Sequence, residues 1–144
     1  GSWTDFVGDE YKSFSGTAVY TTTINKVPVA DVINLDLGSV AENASVYLNG
    51  DYIGTVIDSP YQLYIPAEKF KGQDELVVRV ANSMANRIAY MDKKGVDWKI
   101  FYNVNMSARK KENVKNGIFD ASDWEPKSSG LLGPVTLTPA MVKQ

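Results

Sequence analysis

The chain has 144 residues, a length suited to one domain and sufficient to bury roughly 70% of its unfolded surface. Hydrophobic residues are 44% and charged residues 22%, ordinary globular values, and a net charge of −2 argues against a broadly basic nucleic-acid surface. Cysteine and histidine are both absent, which removes disulfides, thiolate sites, the Ser-His-Asp triad, imidazole bases and His-ligated metals, and favours a binding or structural module over an enzyme.

Gly1-Ser2, without an initiator Met, reads as the remnant of a cleaved expression tag, and 3–144 as a single domain. No basic segment followed by an apolar stretch opens the chain, and no run of 18 apolar residues offers a membrane span. From there period-2 alternation dominates. Over 17–24, Ala18, Tyr20 and Ile24 share one face and Thr17, Thr21 and Thr23 the other. Ile33, Leu35 and Leu37 alternate with Asn34 and Asp36. Val46 and Leu48 flank Tyr47, and Asn49-Gly50 then supplies a two-residue hairpin turn with positive φ at both positions. The return strand runs from Tyr52 to Ile57. Tyr61, Leu63 and Ile65 alternate after Pro60, and 66–71 (PAEKFK) makes at most one helical turn before Gly72. Leu76, Val78 and Val80 form the next inward set, Ile100, Tyr102, Val104 and Met106 another, and Val135 and Leu137 the last. No further helix is expected. About eight short strands separated by Gly, Pro, Asn and Asp predict an all-β, antiparallel sandwich or barrel with one solvated face per strand.

The stretch 82–127 differs. It carries nine Lys/Arg and six Asp/Glu, with Tyr90, Trp98, Phe101, Tyr102, Phe119 and Trp124, and only one clear strand. A long segment of this kind in a compact domain is commonly functional, and its aromatics argue against disorder.

Several segments combine into a recognisable set: FSGTAVY at 14–20, LDLG at 35–38, ASVYLNG at 44–50, YIG at 52–54, SPY at 59–61, DELVVRVAN at 74–82, Asn86-Arg87, and SGLLGPVTL at 129–137. In this order they resemble the galactose-binding-like, jelly-roll sugar-binding domain of glycoside hydrolase family 2. The version appended to large bacterial glycosidases, including family 106 α-L-rhamnosidases, is the nearest in character. The resemblance covers about 3–139. It implies a non-catalytic accessory domain that packs on the catalytic domain of a parent glycosidase, with carbohydrate as its other partner. It also implies a periplasmic, extracellular or cell-surface setting, and it leaves a structural calcium open. In family 2 galactosidases a carboxylate beside a Trp, just before the Ser-Gly motif, reaches the substrate site. The matching stretch here is DASDW at 120–124, which puts Asp123 forward.

Residue by residue, the two readings stand side by side. Asn49-Gly50, Gly54 and 129–134 serve backbone geometry better than chemistry. Asn86 and Arg87 could take sugar hydroxyls, or clamp a loop, with Asp92 as a carboxylate within reach of Arg87. Trp98 and Trp124 carry the carbohydrate reading, since sugar C–H faces lie on aromatic planes while nearby polar groups take the hydroxyls. Their alternative is core. Tyr102 shares a face with Ile100 and Val104, which favours core. Asp92 with Asp97, and Asp120 with Asp123, are candidate acid pairs of the kind a hydrolase needs and candidate calcium ligands, and solvated loop acids are the alternative that 17 acids in the chain favour. The basic run at 109–111 is better read as a solvated hairpin tip than as a polyanion site. The carbohydrate-binding candidates are therefore Trp98, Trp124, Asp123, Asn86, Arg87 and Asp92, with no catalytic residue assigned. Three functions follow, an accessory domain that buttresses a catalytic domain and lines its cleft, an autonomous carbohydrate-binding module, or an independent hydrolase using two loop carboxylates, with a purely structural interaction domain as the fallback. Replacing Trp124 by Ala is expected to weaken sugar binding without unfolding the domain.

Overall fold

The computed structural model describes residues 1–99 and 110–140. The chain divides into two compact units, one of residues 1–2, 16–82 and the stretch from Ser129, the other of residues 3–15 and 83–128. In chain order the described strands are β1 (Thr17–Ile24), β2 (Val32–Asp36), β3 (Ser39–Ala41), β4 (Asn43–Leu48), β5 (Asp51–Val56), β6 (Gln62–Pro66), β7 (Asp74–Ala81), β8 (Val114–Lys115), β9 (Ile118–Phe119), β10 (Gly130–Gly133) and β11 (Thr136–Pro139). Among the described residues two α-helices, α1 (Asp9–Lys12) and α2 (Ala85–Lys93), accompany them.

The first unit is an antiparallel β-sandwich, as the alternation predicts. A four-stranded sheet runs in the order β1-β7-β4-β5, a three-stranded sheet in the order β11-β2-β6, and β10 pairs with β3. In β7, Leu76, Val78 and Val80 are buried while Glu75 and Arg79 are exposed, the period of two that a pleated strand imposes. Val46, Leu48 and Val78 from one sheet join Leu35 and Ile65 from the other in a single apolar cluster. Such burial supplies the main favourable term in folding.

The expected hairpin joins β4 to β5, with Asn49 at φ 51° and Gly50 at φ 83°. This turn is tied to the start of β7. Asn49 Nδ2 donates to Asp74 Oδ1 at 2.7 Å, and Glu75 N donates to Asn49 Oδ1 at 2.9 Å. Asp74 also accepts from the amides of Lys71 (2.8 Å) and Gly72 (3.0 Å). Burial pushes its carboxyl up, but the Asn49 donor, the two amides and the Lys71 charge together hold it below the usual aspartate range.

Gly38 of the LDLG segment and Gly133 of the SGLLG segment have one shared reason. Gly38, at φ 69°, lies against Gly133 so closely that an added Cβ would sit 2.4 Å from the Gly133 carbonyl carbon. Asn82 is likewise structural. Its side chain accepts from Gly16 N (3.0 Å) and donates to Ser129 Oγ (3.2 Å). Ser2 is buried and exchanges two hydrogen bonds with the Ser129 backbone, its hydroxyl donating to the carbonyl and accepting from the amide. The 66–71 turn is a 3₁₀ helix at Ala67–Lys69.

The second unit corrects the expectation that no further helix exists. α2 spans nine residues. Ala85, Ile88, Ala89 and Asp92 recur at helical spacing, but a carboxylate stands where the stripe calls for an apolar group. Met84 at the N-cap makes no side-chain capping bond, and the hydroxyl that meets the first turn, Ser83 Oγ accepting from Ala85 N at 3.4 Å, comes one residue earlier. α1 was also unforeseen. A second Asn-Gly turn, Asn116 (φ 51°) and Gly117 (φ 78°), joins β8 to β9. The strand expected over 100–106 lies outside the described residues, as does Tyr102. Among the described residues, no helix is long and apolar enough to cross a membrane.

Candidate functional site

The second unit holds a groove of about 580 Å³ between α1, α2 and the loop 122–126. Its lining includes Lys12, Asn86, Tyr90, Lys93, Asp123 and Trp124. α2 supplies Asn86, Tyr90 and Lys93 because spacings of four and three place them on one helical face.

The loop that carries Trp124 is fixed from beneath. Phe119 and Ala121 are buried and form a small cluster with Ile88, Ala89, Trp98 and Trp124 packed on it. Phe119 and Trp124 meet edge to face, with centroids 5.8 Å apart. The Trp124 indole N–H donates to Asn113 Oδ1 at 2.9 Å. Trp124 is half-buried, so one part of the ring serves packing and another faces the groove. Lys127 Nζ sits 5.9 Å from its ring centroid.

Asp92 is the hub of this unit. Its side chain is only 3% exposed, and it accepts from Trp98 Nε1 (2.7 Å), Lys99 Nζ (2.9 Å) and the Ala121 amide (2.8 Å). It thus ties the end of α2 to the Trp98 segment and to the loop below the groove. Asn86 spends both ends of its amide on one residue, donating to Lys127 O and accepting from Lys127 N, each at 2.8 Å. Arg87 is exposed and its guanidinium lies 5.8 Å from the Tyr90 ring centroid. Asp92 therefore takes Trp98, Lys99 and Ala121 as partners, rather than Arg87.

The acids of the loop share one cation. Lys115 Nζ lies 3.1 Å from Asp123 and 3.4 Å from Asp120, and the Asp123 contact leads in raising the lysine's pKa. Asp120 also accepts from the hydroxyl and the amide of Ser122. The Ser122 hydroxyl leads in lowering its carboxyl, and the amide and Lys115 add to this against a burial effect. A general acid for glycoside hydrolysis needs the opposite shift. Among the described residues, no three acidic side chains gather as a metal-ion cage.

Of the six candidates, Trp124, Asp123 and Asn86 line the groove. Trp98 and Asp92 lie beneath it as a bonded pair, and Arg87 stands on Tyr90. Tyr90 and Lys93 were not singled out from the sequence. The signal for them was the helical spacing of α2, which a reading of the segment as loop could not use.

No family model matches the chain. It is 34% identical over 151 residues to a protein from Formosa agariphila named "Putative beta-glucuronidase", a match that takes in 94% of this chain and 13% of that protein. Its structure is similar to that of a rhamnosidase from Novosphingobium sp. PP1Y, with a TM-score of 0.74 and 29% identity over 94% of this chain and 12% of the rhamnosidase. Both relatives bear glycosidase names, and the chain spans a small part of the length of each.

Proposed function

We propose that the chain is a non-catalytic accessory domain of a bacterial glycoside hydrolase, working at the cell surface or in the periplasm. It supports the catalytic domain and presents the groove of its second unit to carbohydrate. The observation that carries this reading is the near-complete match of the chain to a small segment of much longer glycosidases. The chemistry of the chain agrees with it. No histidine or cysteine is available as nucleophile or base, and Asp120 is held ionised by Ser122 and Lys115.

The groove favours a carbohydrate over other small molecules. Tyr90 and Trp124 offer aromatic surface for sugar C–H faces, and Lys12, Lys93 and Asp123 stand by as hydrogen-bonding groups. The test is a calorimetric screen of the 144-residue chain against galactosides, rhamnosides and pectic oligosaccharides, with and without calcium. Saturable binding that Tyr90→Ala weakens, in a variant with an unchanged circular dichroism spectrum, supports the groove. Trp124→Ala is the less clean probe, because it also removes packing on Phe119 and the bond to Asn113. Binding that neither variant alters would refute the groove assignment.

A further inference from the structure

The outward face of the four-stranded sheet has an organisation that sandwich packing does not require. In register, Val19, Arg79, Ser45 and Thr55 form one row across β1, β7, β4 and β5, and Thr21, Val77, Tyr47 and Tyr52 form the next. Tyr47 and Tyr52 lie with centroids 5.6 Å apart and planes at 59°. Tyr52 is 60% exposed and Val19 is 58% exposed. The Tyr52 hydroxyl bonds Thr55 Oγ1 at 2.8 Å, and Thr55 bonds Ser45 Oγ at 2.8 Å, a hydroxyl chain along the edge of the aromatic pair. Arg79 leans from the first row over the second, its guanidinium carbon 5.1 Å from the Tyr47 ring centroid. Arg79 is exposed, and among the described residues no carboxylate forms an ion pair with it. The nearest acid on the same strand face is Glu75, four residues back along β7.

We infer that this face is a second carbohydrate-binding platform, selective for an acidic oligosaccharide whose uronic-acid carboxylate meets Arg79 and whose ring rests on Tyr52 and Tyr47. The inference rests on the carbohydrate reading above but uses a different surface and a different unit of the chain. Three features point to this ligand together. The exposed Tyr52 ring, with Tyr47 tilted beside it, offers aromatic surface to the C–H face of a pyranose, and the Ser45-Thr55-Tyr52 chain offers donors and acceptors to ring hydroxyls. A guanidinium stacked on an aromatic ring keeps a planar fork of N–H donors, which matches a carboxylate two bonds at a time. An unpaired cation amid hydroxyls and aromatics is complementary to a negative sugar and gives a neutral one no charge contact.

The experiment is amide chemical-shift mapping of the ¹⁵N-labelled chain during titration with tetragalacturonate and, separately, with neutral galactotetraose. The expected result is saturable shifts on β4, β5 and β7 with the acidic sugar, and weaker ones with the neutral sugar. Tyr52→Ser should weaken both. Arg79→Gln should weaken tetragalacturonate by about tenfold, the equivalent of one charge-assisted hydrogen bond, and leave galactotetraose unchanged. Both side chains are exposed, so the variants are expected to fold, and their amide spectra verify it. Arg79→Lys keeps the charge without the fork and should recover only part of the loss. Shifts confined to α2 and 122–126 would overturn this inference and leave the groove reading standing. Equal loss of both sugars in Arg79→Gln would overturn the selectivity. Saturable shifts with no sugar on either surface would overturn both.

Discussion

Asp74→Asn is the most informative single change in the first unit. The carboxylate is 1% exposed and accepts three donors: Asn49 Nδ2 at 2.7 Å and the Lys71 and Gly72 amides at 2.8 and 3.0 Å. Asparagine preserves the shape and one carbonyl acceptor, but it turns an NH₂ toward groups that are themselves donors. A hydrogen bond to a charged group is worth about 1.5–3 kcal/mol, and a buried donor left unmet costs about 1–3 kcal/mol. With part of the set surviving, the expected loss is about 3 kcal/mol, a fall in Tm of roughly 10 °C for a chain of this size. Urea unfolding followed by circular dichroism at several pH values is the assay. The folded pKa lies below the ordinary aspartate value, so the stabilisation is fully present above about pH 4 and fades as pH falls through the folded value. The gap between wild type and variant should therefore be widest at neutral pH and narrow below about pH 4. A loss under about 0.5 kcal/mol, within the range of ordinary surface substitutions, would refute the reasoning. So would a gap that stays constant as pH falls well below the ordinary aspartate value, the range in which the unfolded carboxyl takes up its proton before the folded one.

Gly38→Ala should cost more than about 2 kcal/mol, because it adds a Cβ 2.4 Å from the Gly133 backbone at φ 69°. Gly50→Ala, also at positive φ but with open space around it, should cost only about 1 kcal/mol, and equal losses by thermal unfolding would contradict the packing argument. Asp92→Asn leaves Lys99 unpaired with a side chain only 17% exposed. It should loosen the second unit by about 3 kcal/mol and shift Trp98 emission to the red. Adding Lys99→Met should restore part of that loss, and a double variant no better than the single one would deny the pair its role.

The sandwich was legible from residues alone because a strand with one buried face must alternate. Leu76, Val78 and Val80, or Ile33 and Leu35, disclose their inward face by spacing. Asn49-Gly50 was equally readable, since few residue pairs tolerate positive φ twice in succession. The same rule applied to Asn116-Gly117 would have located the β8–β9 turn. Trp124 and Asp123 share one loop and one groove, but their surroundings have no local signal. Asn113 and Lys115, close to them in the fold, are ordinary polar residues in the sequence.

The all-β character, the inward faces of the strands, the first hairpin and the absence of His and Cys chemistry could be read from the residues, because these depend on local period, φ preference and composition. Folding alone brings Asn86 to clamp Lys127, makes Asp92 a buried hub, sets Tyr90 and Lys93 in the groove with Trp124, and stands Arg79 over Tyr47. Hydrogen bonds, ion pairs and ring contacts between residues far apart in the chain are set by which segments meet. No local periodicity encodes that meeting. The Asp92 carboxylate shows the difference. In the chain it is a polar break in a helical stripe, and in the fold it is the acceptor that three separate donors require.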